Sequence, residues 1–209
     1  MATVAELRER ARDEARRRTR DLVLDAARAT TLESGWRAVR MGALATEVGL
    51  SRQALHAEFG TKAALGSALV HREVDELLTA IVAALHSPDA SPAEAIRQAA
   101  TVTLTSVADD PLLQIVISRG GDEELLALLT SRNDWLLTGA AEILRTWART
   151  ALPGVPATRV AEMAETVVRL VLSHAVTPTA PVPQTVDTVV AVAGLLLGLP
   201  DRPDGVRDR

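Results

Sequence analysis

Apolar side chains recur at intervals of three and four residues along most of the chain, and Pro or Gly interrupts the pattern repeatedly. This spacing places apolar side chains on one face of an α-helix, whereas a half-buried strand would show strict alternation. Aromatic residues make up only 2% of the chain, so several of the usual strand formers are scarce. The sequence therefore predicts an all-α protein of about nine helices.

The chain lacks the features of several protein classes. It contains no Cys, which excludes disulfide scaffolds, cysteine nucleophiles and thiolate metal sites. The longest apolar run, Val189 to Leu199, is shorter than the roughly 18 residues that a membrane span requires. The first residues carry mixed charge without the apolar stretch of a secretory signal. We expect a cytoplasmic protein that does not enter the membrane.

Patterns typical of enzyme active sites are not found. Gly120-Gly121 is not followed by the Gly-Lys-Ser/Thr of a phosphate-binding loop, and no Gly-x-Ser-x-Gly occurs. The His residues lack the spacing of metal ligands; they are His56, His71, His86 and His174. The sequence predicts no enzyme activity, no metal site and no cofactor.

Charge is distributed unevenly along the chain. Residues 1–65 contain twelve basic and nine acidic side chains, and the remainder contains eleven basic and eighteen acidic ones. Such asymmetry is expected when one end of a chain contacts a polyanion, and an accidental imbalance is the alternative. The N-terminal part is therefore the candidate nucleic-acid-binding region.

Residues 1–18 interleave Arg with Glu and Asp and contain few apolar residues, which predicts a flexible arm. Residues 19–66 are predicted to form a separate domain of three helices and the start of a fourth, and 67–200 a larger helical domain. Residues 201–209 are predicted to form a polar tail. Predicted helices cover 19–33, 41–48, 52–59, 62–86, 92–108, 111–118, 122–151, 157–176 and 182–199.

The segment from Leu44 to Ser51 has the pattern of a helix-turn-helix. Leu44 and Val48 are spaced to point inward, and Ala45 is small enough for two helices to approach closely. Gly49 permits the positive φ of the turn, and Ser51 is a good N-cap for the next helix. In a DNA-binding helix-turn-helix domain, here called the reader, the third helix enters the major groove of DNA.

The N-terminal segment, over about residues 19–69, resembles the tetracycline-repressor (TetR) family of bacterial transcription factors. The resemblance is carried by Leu24, Ala27, Gly35, the segment Leu44–Ser51, Leu55, Phe59, Lys62 and Leu65. It implies that the first three helices bind DNA and that the fourth leads to a variable, helical ligand-binding region. It also implies that the last two helices form a dimeric four-helix bundle. The remainder of the chain agrees with the family only in layout.

By position, the resemblance implies DNA contacts around the third helix. Arg52, Gln53 and Ala54 are expected to contact base edges, since Arg fits guanine and Gln fits adenine bidentately. Ser51 and Lys62 are expected to contact phosphates at either end of the reader. The alternative for Arg52 is a solvated helix charge.

Four positions depart from the family pattern. His56 replaces the usual Tyr, which would make a DNA contact there sensitive to pH. Arg40 replaces a capping Thr, so the second helix loses its N-cap, and Arg40 offers a phosphate contact instead. Gly42 costs the second helix about 1 kcal/mol relative to Ala. Glu58 would repel DNA unless it points away from it.

A regulator of this kind needs a second site whose occupancy changes its DNA affinity. The acidic helical region at 67–200 is the expected place, and an apolar pocket with a few polar groups is the expected form. The candidates are polar or amphipathic residues among aliphatic ones, and core packing is the alternative for each; they are Gln114, Arg119, Trp135, Trp147, Arg169 and His174. We expect a small, largely apolar effector.

The last two predicted helices, 157–176 and 182–199, are more apolar than a monomer surface tolerates. Their small and branched side chains suit pairing across a two-fold axis, and burial within one chain is the alternative. The sequence therefore predicts a homodimeric, ligand-responsive repressor that binds a palindromic double-stranded DNA operator. The second hypothesis is a helical ligand-binding or scaffold protein that has lost sequence-specific DNA binding.

Overall fold

The computed structural model describes residues 3–117 and 133–198. Within these two ranges the chain forms nine α-helices and one 3₁₀ turn, Trp36–Ala38, which confirms the all-α prediction. The helices are α1 (Val4–Ser34), α2 (Met41–Glu47), α3 (Arg52–Phe59), α4 (Lys62–Leu85), α5 (Pro92–Asp109), α6 (Pro111–Ile117), α7 (Asn133–Ala151), α8 (Ala157–Val176) and α9 (Val182–Leu197). The predicted tail at 201–209 and residues 118–132 lie outside the described residues.

The described chain divides into two compact units between Glu73 and Val74. The first contains α1, α2, α3 and the first turns of α4. Helices α2 and α3 have seven and eight residues, too few to be stable alone, so packing must hold them. The core that holds them consists of Val23, Leu24, Ala27, Trp36, Val39, Leu44, Leu55, Phe59, Leu65 and Leu69.

The second unit contains the rest of α4 and helices α5 to α9. Helix α9 packs on α5 and α8, and α7 packs on α8. The apolar faces of α8 and α9 are largely buried in this core, as Val167, Met163 and Val189 show. Most of the apolar stripe that suggested a dimer is thus buried within one chain. No helix in the described ranges combines the length and apolar character needed to cross a membrane.

Helix α1 begins at Val4, so the prediction of a flexible arm is wrong for residues 4–18. Thr3 Oγ1 accepts a hydrogen bond from Glu6 N at 3.3 Å, and the Glu6 carboxylate accepts one from Thr3 N at 2.7 Å. This capping box satisfies two otherwise free donors of the first turn. Ala, Arg and Glu are strong helix formers, and Glu14 pairs with Arg18 one turn later. Few apolar residues therefore do not prevent a helix here.

Candidate functional site

The turn between α2 and α3 has the geometry that its sequence predicts. Gly49 adopts φ +71°, and Leu50 N donates to Ala45 O at 2.8 Å. Ser51 Oγ accepts a hydrogen bond from Ala54 N at 3.0 Å, which caps α3. Because these bonds involve near neighbours in the chain, the local sequence suffices to specify the turn.

Two buried side chains fix the rotation of α3 about its own axis. Leu55 and Phe59 lie one turn apart and are buried in the first unit. The opposite face therefore presents Arg52, Gln53 and His56 to solvent. An eight-residue helix is about 12 Å long, and the major groove of B-DNA is about 12 Å wide. The exposed face of α3 thus has the size and chemistry of a base-reading surface.

The predicted phosphate-contacting residues flank this face. Thr61 Oγ1 accepts a hydrogen bond from Ala64 N at 3.1 Å and caps α4. Lys62 follows in the first turn, with its Nζ 5.1 Å from the ring centroid of buried Trp36. A cation–π contact of this kind restricts the ammonium to one region of the surface. The positive end of the α4 dipole adds to the charge there.

His56 and Arg40, two of the residues that depart from the pattern expected by resemblance, both form hydrogen bonds to backbone carbonyls. His56 Nδ1 donates to Gly60 O at 2.7 Å, at the end of α3. The Arg40 guanidinium donates to the carbonyls of Arg37 and Val39. Helix α2 receives no side-chain cap from Arg40, as its sequence indicates. Phosphate contacts by these two residues stay predictions.

Glu58 is turned away from the exposed face of α3 and toward α1. Its carboxylate accepts hydrogen bonds from Arg16 Nε at 2.8 Å and from Arg20 Nη1 at 3.2 Å. Arg20 also lies over the Phe59 ring, 4.6 Å from its centroid. Burial raises the pKa of Glu58, but the hydrogen bonds and charges of both arginines outweigh it, so this pKa lies below its usual value of 4.5.

The pairing of Glu58 removes the repulsion that its sequence position suggests, because two arginines compensate the charge. Arg16 and Arg20 precede Glu58 by 42 and 38 residues. Arg16 lies in the segment whose composition indicated a flexible arm. The interleaved charges of that segment are the signal that could have suggested a helix, since Arg and Glu at four-residue spacing support one.

Comparison with known proteins agrees with this geometry. Residues 23–69 match the family described as bacterial regulatory proteins, tetR family. Residues 89–194, about half of the chain, match the family described as Bacterial Tetracyclin repressor, C-terminal domain. The chain belongs to the TetR family. A TetR-family protein is a DNA-binding transcriptional regulator.

Several TetR-family relatives are similar along much of the chain. The HTH-type transcriptional regulator AlkX of Mycobacterium tuberculosis is 30% identical over 136 residues, 63% of this chain and 64% of the relative, so just under two thirds of the relative is matched. The crystal structure of the TetR family repressor AlkX from Dietzia sp. is 25% identical, with a TM-score of 0.64 over 85% of this chain and 94% of that one.

A TetR-family regulator from Pectobacterium atrosepticum shares the fold. It is 21% identical, with a TM-score of 0.64 over 91% of this chain and 98% of the other.

The second unit of this TetR-family chain contains a partly open aliphatic cavity of about 80 Å³. Among the described lining residues the one hydroxyl group is that of Thr103, which donates to Ala99 O at 2.8 Å. The described lining therefore favours an apolar molecule and offers little to bind a polar one. Helices α4, α5, α7 and α8 line it with Leu77, Leu78, Ile81, Ile96, Ala99, Ala100, Thr103, Ala140, Leu144, Val167, Val168, Val171 and Leu172.

Four of the residues predicted to bind a ligand have described side chains, and none of the four lines this cavity; they are Gln114, Trp147, Arg169 and His174. Gln114 Nε2 donates to Val107 O at 2.5 Å, and Trp147 is buried in the core of the unit. Arg169 pairs with Glu165 at 3.1 Å.

Of the remaining ligand candidates, the structure describes the side chain of His174 alone. His174 lies at the end of α8, and its Nδ1 is buried without a hydrogen-bond partner among the described residues. Arg119 lies outside the described residues, as does the side chain of Trp135. A role in ligand binding stays a prediction for all six. In the described ranges, no cluster of His, Asp or Glu could hold a metal ion.

Proposed function

We propose that this regulator is a repressor that binds a palindromic operator as a homodimer and is released from DNA by a small, largely apolar effector. The exposed first turn of α3 carries the proposal. Arg52 and Gln53 stand there on a helix that Leu55 and Phe59 anchor. In the described part of the chain, neither polar side chain has a hydrogen-bond or ion-pair partner, so both are available to bases.

The neighbouring residues complete the proposed DNA surface. Ala54 is small enough to meet a thymine methyl group, and Ser51 and Lys62 would contact phosphates at the two ends of the exposed face of α3. Arg40 and His56 are proposed as further phosphate contacts. Residues 19–66 would thus form the DNA-binding domain and 67–200 the regulatory and dimerisation domain.

The aliphatic cavity supports an unbranched aliphatic effector. The repressor AlkX from Dietzia is implicated in biodegradation of n-alkanes, and a hydrocarbon chain suits a lining whose described residues offer no free polar group. One helix, α4, carries both Lys62 and the cavity residues Leu77 and Ile81. Occupancy of the cavity would bias the position of α4 and so lower the affinity for DNA.

The outward surface of α9 supports the proposed homodimer through the last two helices, α8 and α9. Leu195 on α9 is 82% exposed, which is unusual for a large aliphatic side chain among the described residues. Small exposed residues, Thr188 and Ala191, lie on the same surface of the helix. Helices with small side chains can approach closely across a two-fold axis.

Selection of genomic DNA fragments by the purified protein tests the proposal. At roughly 150 mM salt, nonspecific electrostatic binding is already weakened, so we expect a recurring palindrome among the recovered fragments. If no sequence is enriched and binding only fades with salt, the protein does not read DNA. The helical ligand-binding or scaffold protein would then be the better description.

Release by the effector is tested with the recovered operator. We expect n-octane to weaken operator binding more than cyclohexane does, because the hydrocarbon chain of n-octane is unbranched and flexible. Ala99→Leu adds side-chain volume at the cavity wall and should abolish the response to n-octane while operator binding remains. Equal release of the variant and the wild type would show that the effector binds elsewhere.

A further inference from the structure

Arg52 lies against helix α2 at Gly42. A Cβ atom added to Gly42 would stand 3.0 Å from Arg52 Nε, 3.4 Å from Cζ and 3.5 Å from Nη2. The guanidinium group therefore occupies the space that any other residue would fill with its side chain. Helices α2 and α3 are packed on each other, so this contact joins the two helices of the reader.

The backbone of α2 does not itself require glycine at this position. Gly42 is not among the glycines with positive φ, and its carbonyl accepts a hydrogen bond from Thr46 Oγ1 at 3.1 Å within the helix. Alanine is a better helix former than glycine. The neighbour that an added methyl group would meet is the flexible end of Arg52, so the helix could accept alanine only by moving that guanidinium.

We propose that Gly42 is a positioning residue that determines specificity through Arg52. The space at Gly42 seats the guanidinium against α2 and limits the orientations that Arg52 samples before DNA binds. Bidentate contact with guanine requires the planar fork to lie in register with two acceptors. A side chain ordered in advance loses less entropy on binding. Gly42 itself touches no base.

This inference rests on the proposed function, because it presupposes that Arg52 reads a base pair. The test uses the full-length variants Gly42→Ala, Arg52→Ala and the double variant. Gly139→Ala is the matched control, since Gly139 lies within α7 and an added Cβ would meet nothing within 4 Å. The affinity of each protein is measured for the operator recovered by the wild type and for single base-pair changes in it. A thermal melt accompanies each protein.

We expect Gly42→Ala to reduce discrimination at one base pair per half-site by roughly 5- to 150-fold, the range of one bidentate contact. The same change should have no effect when Arg52 is already Ala. The melting temperature should equal or exceed that of the wild type, and Gly139→Ala should bind as the wild type does.

Several outcomes would overturn the inference. These are unchanged base preference in Gly42→Ala, an equal loss in the Arg52→Ala background, or wild-type binding by Arg52→Ala. A lower melting temperature with uniform loss at every base pair would also overturn it, because the fold would then be damaged. Failure of the wild type to select any sequence is a different result, since it removes the proposed function itself.

Discussion

Glu73 is a buried charge that joins α4 to α1 within the first unit. Its side chain is 6% exposed and lies 3.2 Å from Arg28 Nε and 3.4 Å from Arg72 Nη2. Arg72 also pairs with Asp25 at 2.8 Å, on the exposed side of the cluster. Glu73 therefore compensates part of the charge of both arginines on their buried side.

The substitution Glu73→Gln keeps the shape of the side chain and removes its charge. Loss of one partner from a fully buried pair costs about 3–5 kcal/mol, whereas an exposed pair contributes about 0.2–1 kcal/mol. Arg28 and Arg72 are 30% and 18% exposed, and Asp25 still compensates Arg72. We therefore expect a loss of about 2 kcal/mol in the free energy of unfolding, between these limits. For a chain of this length, that loss lowers the melting temperature by roughly 4–8 °C.

Urea unfolding followed by far-ultraviolet circular dichroism, together with a thermal melt, measures the change. Glu76→Gln is the matched control because Glu76 is exposed on the same helix. The loss should persist in high salt, since buried pairs are poorly screened. If Glu73→Gln shifts the urea midpoint no further than Glu76→Gln does, the buried cluster contributes no more to stability than a surface charge.

Three further substitutions test the DNA surface, the pairing of α3 with α1, and the dimer. Lys62→Ala should weaken binding to all DNA sequences alike and reduce the salt slope by about one per subunit; a loss confined to the operator would show that Lys62 reads bases. Glu58 has a lowered pKa in the folded protein, so its stabilising effect is present at neutral pH and is lost as pH falls below 4.5 through that pKa. Glu58→Gln should therefore be less stable than the wild type at pH 7 and equal to it in strong acid, as urea midpoints across pH would show; a constant difference would exclude this linkage. Leu195→Glu should yield monomers in sedimentation with weaker operator binding, and a dimer as stable as that of the wild type would place the interface elsewhere.

Local sequence is enough to specify the features whose causes lie within a few residues. Apolar periodicity predicted the helices, and Gly49 with Ser51 predicted the turn and cap of the reader. These are local effects, since backbone geometry and capping bonds involve near neighbours in the chain. The helix at residues 4–18 also has a local cause, since a capping box and strong helix formers suffice for a helix without an apolar stripe. A scarcity of apolar residues therefore does not predict a flexible arm.

Tertiary structure alone decided which distant groups meet. Glu58 compensates Arg16, and Glu73 compensates Arg28, across more than 40 residues of chain. No local pattern distinguishes these pairings from solvated charges. The cavity has the same origin: an aliphatic residue has the same helical spacing whether it fills a core or lines a void. Only the packing of four helices decides which, because a cavity is the volume that the surrounding side chains together fail to fill.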